Sequence, residues 1–141
     1  MTQLDFYFNA PEKLQVACRL AAKAFSQRRP LLIYVPESEL ARRLDTLLWS
    51  VPSTSFVPHC RAGDRIATQT PVLIAEDDTS PAGFDLLINL SDECPPHFER
   101  FERLFEIVSR GDTDRLNGRT RYRYYRDRGY PISDHDLSGD A

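Results

Sequence analysis

LLIYVPESELARRLDTLLW, residues 31–49, decides the fold. Leu31 to Val35 is an unbroken apolar run, the pattern of a strand covered on both faces, and Pro36 ends it. From Glu37 to Trp49, Leu40, Leu44, Leu47 and Leu48 recur at helical spacing, with Arg42, Arg43 and Asp45 on the other side. The same order stands upstream. Leu4-Asp5-Phe6-Tyr7-Phe8, bounded by Asn9-Ala10-Pro11, reads as a strand. Leu14, Ala17/Cys18, Ala21 and Ala24/Phe25 then give an amphipathic helix to about Gln27, with Pro11 in its first turn. Cys18 falls on the apolar stripe and reads as a small buried hydrophobe. Strand, helix, strand, helix favours a right-handed parallel βαβ start.

Downstream the pattern loosens. Ser50 to Gly63 (SVPSTSFVPHCRAG) shows no regular period, whereas Val72–Ala75 and Phe84–Leu90 are further runs of strand length, the second ending near Asn89. Between them Glu76 to Pro81 is an acidic turn. Pro95-Pro96 is expected to open a third helix with Phe98, Phe101, Leu104, Phe105 and Val108 on its inner stripe, broken by Gly111 before a last, basic helix. The expectation is one α/β domain over residues 1–132: a three-layer α/β/α, Rossmann-like arrangement with a mostly parallel sheet and a basic C-terminal helix. Ser133 to Ala141 (SDHDLSGDA) reads as a polar, mobile tail.

Length and composition bound the rest. At 141 residues the chain suits one domain with a real core, and 41% hydrophobic with 28% charged residues is ordinary for a globular protein. No run of 18 apolar residues exists, so no membrane span is expected. The start, MTQLDFYF, lacks a signal-peptide pattern. Three scattered cysteines (Cys18, Cys60, Cys94) suit a reducing, cytoplasmic location.

Charge is distributed unevenly. Arg110 to Tyr130 holds seven arginines (Arg110, Arg115, Arg119, Arg121, Arg123, Arg126, Arg128) against three aspartates, a net +4. The whole chain is −3, so the remainder sums to −7. On a helix, Arg115, Arg119, Tyr122, Arg123 and Arg126 share one stripe, with Leu116, Thr120 and Tyr124 turned elsewhere. Asp112 or Thr113 can cap the first turn, Gly129-Tyr130-Pro131 is a stop, and Gly118 is a place where the helix could start or bend. A solvated arginine face accounts for such a stripe. The alternative is an anionic partner: an acidic peptide, a single-stranded nucleic acid or a phosphorylated ligand, met by forked arginine hydrogen bonds with tyrosines alongside.

Catalytic and cofactor chemistry finds little support. The six glycines never form GxGxxG or GxxxxGK[ST], and the turns after the first two strands (Asn9-Ala10-Pro11 and Pro36-Glu37-Ser38) cannot cradle a pyrophosphate. There is no Gly-x-Ser-x-Gly elbow. His59, Cys60, Cys94 and His97 are zinc-type ligands, but adjacent His59 and Cys60 cannot both point at one metal from a regular strand. Asp77-Asp78 reads as turn chemistry. The reading is therefore a non-enzyme with no metal and no cofactor. Trp49, Pro52, Phe56, Val57 and Pro58 form the other informative group: either a plug on one end of the core, or an apolar anchor for a partner protein.

With these residues in view, the chain resembles the chi subunit family of the bacterial DNA polymerase III holoenzyme. The resemblance rests on LDTLLW (Leu44 to Trp49), SFVPH (Ser55 to His59) and the RxRYRxYRxxGY pattern from Arg119 to Tyr130, and runs from Phe6-Tyr7 to about Tyr130. It implies a Rossmann-like fold without a nucleotide site and a non-catalytic adaptor of DNA replication. That adaptor joins the acidic C-terminal tail of single-stranded DNA-binding protein to the clamp loader through the psi subunit, touching DNA only indirectly. By the same resemblance Arg115, Arg119 and Arg123 meet the tail's carboxylates, with Tyr122 and Val108 framing its terminal phenylalanine. Trp49, Phe56 and Pro58 then face psi, a patch a helicase partner can also use. A replisome-associated, cytoplasmic location follows. Where the family can use lysines, this chain has arginine at 115 and 123, which keeps charge and gains forked pairing. The acidic Glu76-Asp77-Asp78 loop and the tail have no counterpart in the resemblance. The competing reading is a single-stranded nucleic-acid binder that uses the same arginines and tyrosines directly; a third class, an enzyme on the Rossmann-like layer, would carry a bound nucleotide.

Overall fold

The structure, a computed structural model, describes residues 1–50, 58–61, 71–78 and 82–138, without the side chains of residues 60 and 61. Its elements are β1 (Gln3–Ala10), α1 (Lys13–Ser26), β2 (Leu31–Tyr34), α2 (Ser38–Ser50), β3 (His59–Arg61), β4 (Val72–Ala75), β5 (Leu86–Asn89), a 3₁₀ turn (Phe98–Arg100), β6 (Arg103–Ser109), α3 (Asp112–Asp127) and β7 (Ile132–Asp136). Seven strands form one sheet in the order β3-β4-β2-β5-β6-β1-β7, and each neighbouring pair is parallel. The three-layer α/β, Rossmann-like architecture expected from the strand-helix-strand-helix start is what the chain adopts.

The layers follow from strand order and chain handedness. The β1-to-β2 and β2-to-β3 crossovers run one way across the sheet, and the β6-to-β7 crossover runs the other. Because such crossovers are right-handed, α1 and α2 belong on one face and α3 on the opposite face. Packing agrees. Leu31, Ile33, Val72, Ile74, Leu86, Ile88 and Ile107 form one core with Leu14, Ala17 and Ala21 of α1 and Leu44 and Leu48 of α2. Leu4, Phe6, Leu32, Leu73, Leu87, Leu104 and Val108 form the other, with Tyr125 of α3. Alternate strand residues therefore serve opposite cores, the period-2 geometry of a strand with both faces covered. Cys18 lies in the first core, where burial pushes its thiol up to about 11.

Four sequence expectations are corrected. The helix expected after Pro95-Pro96 is only the 3₁₀ turn, and Leu104 to Val108 lie in β6. The phenylalanine spacing fits a helix, but Leu104, Glu106 and Val108 face one side while Phe105 and Ile107 face the other. Pairing to β5 and β1 on both sides decides for the strand. Part of the expected tail joins the sheet: Ile132–Asp136 is a parallel edge strand on β1, with Leu4 opposite Ile132 and Phe8 opposite Asp136. Main-chain bonding holds it there although its side chains are largely polar. The stretch after Trp49 contributes β3 on the other edge. Finally, α3 starts at Gly111 as N-cap with no side-chain cap, and runs unbroken through Gly118.

Gly118 is there for contact. A Cβ at this position would meet Val108 Cγ2 at 2.7 Å and Cγ1 at 3.0 Å. Val108 is a buried, β-branched strand residue with one stiff rotamer, so it cannot yield cheaply. We expect Gly118→Ala to destabilise the fold: overpacking costs about 1–3 kcal/mol, against about 1 kcal/mol gained in helix propensity. Urea unfolding of Gly118→Ala and of Gly118→Ala/Val108→Ala checks this, since the second change should restore part of the loss.

Candidate functional site

Helix α3 is fixed to the sheet through charge. Its buried residues are Gly118, Arg121 and Tyr125. Arg121 Nε donates to Glu106 Oε1 at 2.9 Å, and Tyr125 Oη donates to Glu106 Oε2 at 2.7 Å. Asn89 Nδ2, at the end of β5, donates to the same carboxylate at 3.0 and 3.2 Å. Arg121 Nη1 reaches the Asp92 carbonyl at 3.1 Å, while its buried Nη2 makes no hydrogen bond among the described residues. Burial pushes the Glu106 carboxyl up, opposed by the Arg121 charge and by the hydrogen bonds from Asn89 and Tyr125. Burial, and then the charge on Glu106, push the Tyr125 phenol up, so it stays the donor. Arg121, one of the seven arginines in the basic segment but not on its exposed stripe, is thus used by the fold itself.

With Arg121 turned inward, Arg115, Arg119 and Arg123 face solvent. Among the described residues none of the three has a hydrogen bond or ion pair through its side chain. Among the described residues the Arg126 guanidinium bonds to Asp127, at 3.4 Å, and the Arg128 guanidinium sits 3.6 Å from the Tyr124 ring centre.

Arg115 and Arg119 border a cleft of about 230 Å³ between α3 and the C-terminal ends of β1 and β6. Phe8, Asn9, Val108 and Gly118 line it, and Val108 gives it an apolar wall. Of the residues expected to meet an acidic tail, the cleft brings together Arg115, Arg119 and Val108. Tyr122 stands beside it, 6.1 Å from Phe8 and 4.9 Å from Phe6 between ring centres, and donates to Asp134 Oδ2 at 3.3 Å. Burial, then the Asp134 charge, raise its phenol. Arg123 is exposed on the same helix but does not line the cleft.

Phe8 and Asn9 escaped the sequence reading because they come from the far end of the chain; the sheet brings β1 beside β6. Asn9 is left-handed (φ 59°), a conformation asparagine tolerates, and is pinned by Nδ2 donating to Asp136 at 2.8 Å while its carbonyl accepts from Arg110 Nε at 3.2 Å.

The second expected surface is only partly described. Trp49 ends α2 with 54% of its surface exposed, its ring 4.0 Å from that of buried His59. His59 Nε2 lies 3.3 Å from Asp45 Oδ1, and Pro58 is exposed. Phe56 lies outside the described residues. Because α2 and α3 cover opposite faces, Trp49 and the arginine cleft are on opposite sides of the sheet. Of the zinc-type residues, the Cys60 side chain is also outside the described set, and among the described residues no group of three or more His, Cys, Asp or Glu could hold a metal. The crevice at the strand C-termini, where sheets of this kind bind nucleotides, is about 370 Å³ and presents Glu12, Glu37 and Asp92 against the exposed Arg43. Its Lys13 is held by Asp114 at 3.1 Å.

With this geometry in place, comparison with known proteins is specific. A family model described as "DNA polymerase III chi subunit, HolC" matches residues 1–133. The chain belongs to the DNA polymerase III chi subunit family. A Pseudomonas aeruginosa protein named DNA polymerase III subunit chi is 36% identical, the match covering 97% of this chain and 98% of that protein. The Escherichia coli K12 chi subunit is 32% identical over 84% of this chain and 82% of its own length. Among solved structures, the Saccharomyces cerevisiae Dbp5 C-terminal domain, in a complex with Gle1 and IP6, superposes with a TM-score of 0.61 over 98% of this chain and 91% of that one, at 10% identity. That likeness concerns the fold alone. Among the described residues of this chi-family chain no helix is long and apolar enough to cross a membrane.

Asp114 ties the site together: its Oδ2 accepts from the Ser109 amide at 2.7 Å and its Oδ1 pairs with Lys13. Burial raises its carboxyl, but the Ser109 amide and Lys13 outweigh that, and the net shift is downward. A depressed carboxylate contributes stability that is complete above its unfolded value and lost as pH falls through the folded one. We expect stability to drop below about pH 4, near the unfolded aspartate value, and Asp114→Asn to lower stability at neutral pH and flatten that acid slope. Urea midpoints across a pH series read both.

Proposed function

We propose that this chi-family chain is a non-catalytic adaptor of DNA replication. The α3 cleft takes the acidic C-terminal tail of single-stranded DNA-binding protein, and the Trp49 side of the molecule links it to the clamp loader through the psi subunit, in the cytoplasm. A helicase partner can use that same side. The observation that carries the reading is the cleft: two guanidiniums with no side-chain partner among the described residues stand over an apolar recess sized for one aromatic side chain. A chain end that combines a terminal phenylalanine, its free carboxylate and preceding aspartates satisfies both parts at once. Arg123, further along the helix, meets carboxylates upstream of that end, and Tyr122 closes the aromatic side.

The competing use of α3, as a direct platform for single-stranded nucleic acid, needs open ring faces on which bases stack. Tyr125 is buried, Tyr122 and Tyr130 are half-buried in the aromatic core, and Tyr124 is covered by Arg128. That geometry favours the peptide.

A synthetic acidic peptide ending in phenylalanine should bind with a Kd on the order of micromolar. Amidating its terminal carboxylate, or Arg119→Glu in the protein, should each weaken binding at least about tenfold, because a charge-assisted pair is removed or reversed. Isothermal titration calorimetry measures both. Trp49→Ala should leave the peptide affinity unchanged while weakening capture of psi. Loss of both interactions from either single change, with the far-UV spectrum intact, sinks the two-surface reading.

A further inference from the structure

Residues 13–29, KLQVACRLAAKAFSQRR, carry five cations and no carboxylate in a chain of net charge −3. They build α1 and its C-terminal cap, on the face of the sheet opposite α3. Lys13 is taken by Asp114 and Arg29 by Glu102 at 3.1 Å. Arg19 and Lys23 are exposed one helical turn apart, and Arg28 is exposed just past the helix end. Lys23 and Arg28 hold no ion pair through their side chains among the described residues.

Arg28 stands where helix chemistry asks for glycine. Its amide bonds the Phe25 carbonyl and the Arg29 amide bonds the Ala24 carbonyl, the paired closure of a Schellman cap. The residue at that position is left-handed, and Arg28 has φ 56°. A side chain there strains the backbone where glycine would not. No fold contact among the described residues repays the strain, since the guanidinium is free.

What Arg28 borders is a recess of about 520 Å³ at the N-terminal edge of the sheet, more than twice the volume of the α3 cleft and at the other end of the strands. Phe25, Pro30 and Pro71 give it flat apolar walls. Its hydroxyl, Ser26 Oγ, is already spent on the Lys23 carbonyl at 2.7 Å. The recess therefore offers apolar surface for a ring beside the open guanidinium of Arg28, with Lys23 exposed one turn earlier.

We propose that the exposed surface at the C-terminal end of α1, carrying Lys23 and Arg28, is a low-specificity binding surface for single-stranded nucleic acid. The cations meet successive phosphates, and the recess receives one base. Open cations suit a polyanion backbone, and a roomy recess walled by Phe25, Pro30 and Pro71 accepts the flat face of any base. An acidic chain end would instead want two guanidiniums converging on a small pocket, which is the α3 arrangement. If α3 tethers the chain to a protein that coats single strands, the tether raises the local strand concentration. That consequence rests on the adaptor reading; the surface itself does not.

The test is fluorescence anisotropy of a labelled oligo-dT, about 20 nucleotides long so that it exceeds one binding site, titrated with the full chain over a salt series. Wild type should bind weakly at low salt with a steep salt dependence. Lys23→Glu/Arg28→Glu should reduce affinity at least about tenfold and flatten the slope by roughly one to two phosphates' worth, at about 0.7 each for single strands. Arg119→Glu should leave it within twofold. Arg28→Gly separates binding from folding: it relieves the left-handed strain, so Tm should not fall, yet oligo-dT should bind several-fold more weakly. No binding at low salt, an affinity unmoved by the double reversal, or a loss that appears instead in Arg119→Glu overturns the proposal. So does an acidic peptide whose binding is lost in Lys23→Glu/Arg28→Glu. Failure of oligo-dT binding with normal peptide capture would leave the adaptor reading standing.

Discussion

Everything on the α3 side depends on one buried carboxylate. Glu106 sits in the middle of β6, fully enclosed, on a sheet face that is otherwise largely apolar. A carboxylate there is tolerable only if its lone pairs are filled, and Asn89, Arg121 and Tyr125 fill them. Two of those three donors belong to α3, so the demand of the buried charge fixes which side of the helix faces inward. Removing one partner from such a pair typically costs about 3–5 kcal/mol, because the other charge is stranded. Apolar residues in place of the whole set would hold the helix as well, but without specifying its rotation. With Arg121 and Tyr125 inside, the remaining arginines are outside by geometry.

Sheet topology then separates what each helix can present. Opposite crossover directions put α1 and α2 against one core and α3 against the other, with few side chains in common. Surfaces built on the two sides share no direct contact, so changes on one should add to changes on the other. The same topology explains why the cleft draws on both ends of the sequence. Its β1 and β6 residues become neighbours through pairing, with Tyr7 opposite Ile107 and Ala10 opposite Ser109 across an irregular register.

Much of this was legible in residues 31–49 and 4–25, where strand and helix periods differ cleanly and strong punctuation follows each strand. Residues 98–109 misled because phenylalanines at 98, 101 and 105 match a helical stripe while Leu104 to Val108 equally match a doubly buried strand. Periodicity has no vote between those when the run is short; pairing on both edges does. Ser133 to Asp136 misled in the opposite way. An edge strand can be polar on both faces, since its stability comes from main-chain bonds to β1 and from contacts such as His135 Nε2 to Asp5 Oδ1 at 3.0 Å. The arginine stripe was readable in the spacing, whereas Val108 beside it came only from the family resemblance. The division of labour among the arginines was not, because it is set by a glutamate fifteen residues upstream whose burial only the folded sheet reveals.

Charge placement also weighs against a phosphate at the place where nucleotide-type folds usually hold one. The crevice at the strand C-termini is present, but Glu12, Glu37 and Asp92 line it, and its lysine is engaged by Asp114. A phosphate entering there meets three carboxylates against the single open guanidinium of Arg43, without glycine turns whose amides could add to it. Positive charge is concentrated instead on the outer faces of α1 and α3, away from that crevice. Within one small domain of net charge −3, opposite potentials can coexist only if they are spaced by more than the screening length, about 8 Å in physiological salt. A sheet with helices on both faces supplies that spacing. The sheet keeps the outline of a nucleotide-type fold, while the open guanidiniums of α3 stand on a helix back rather than at the strand ends.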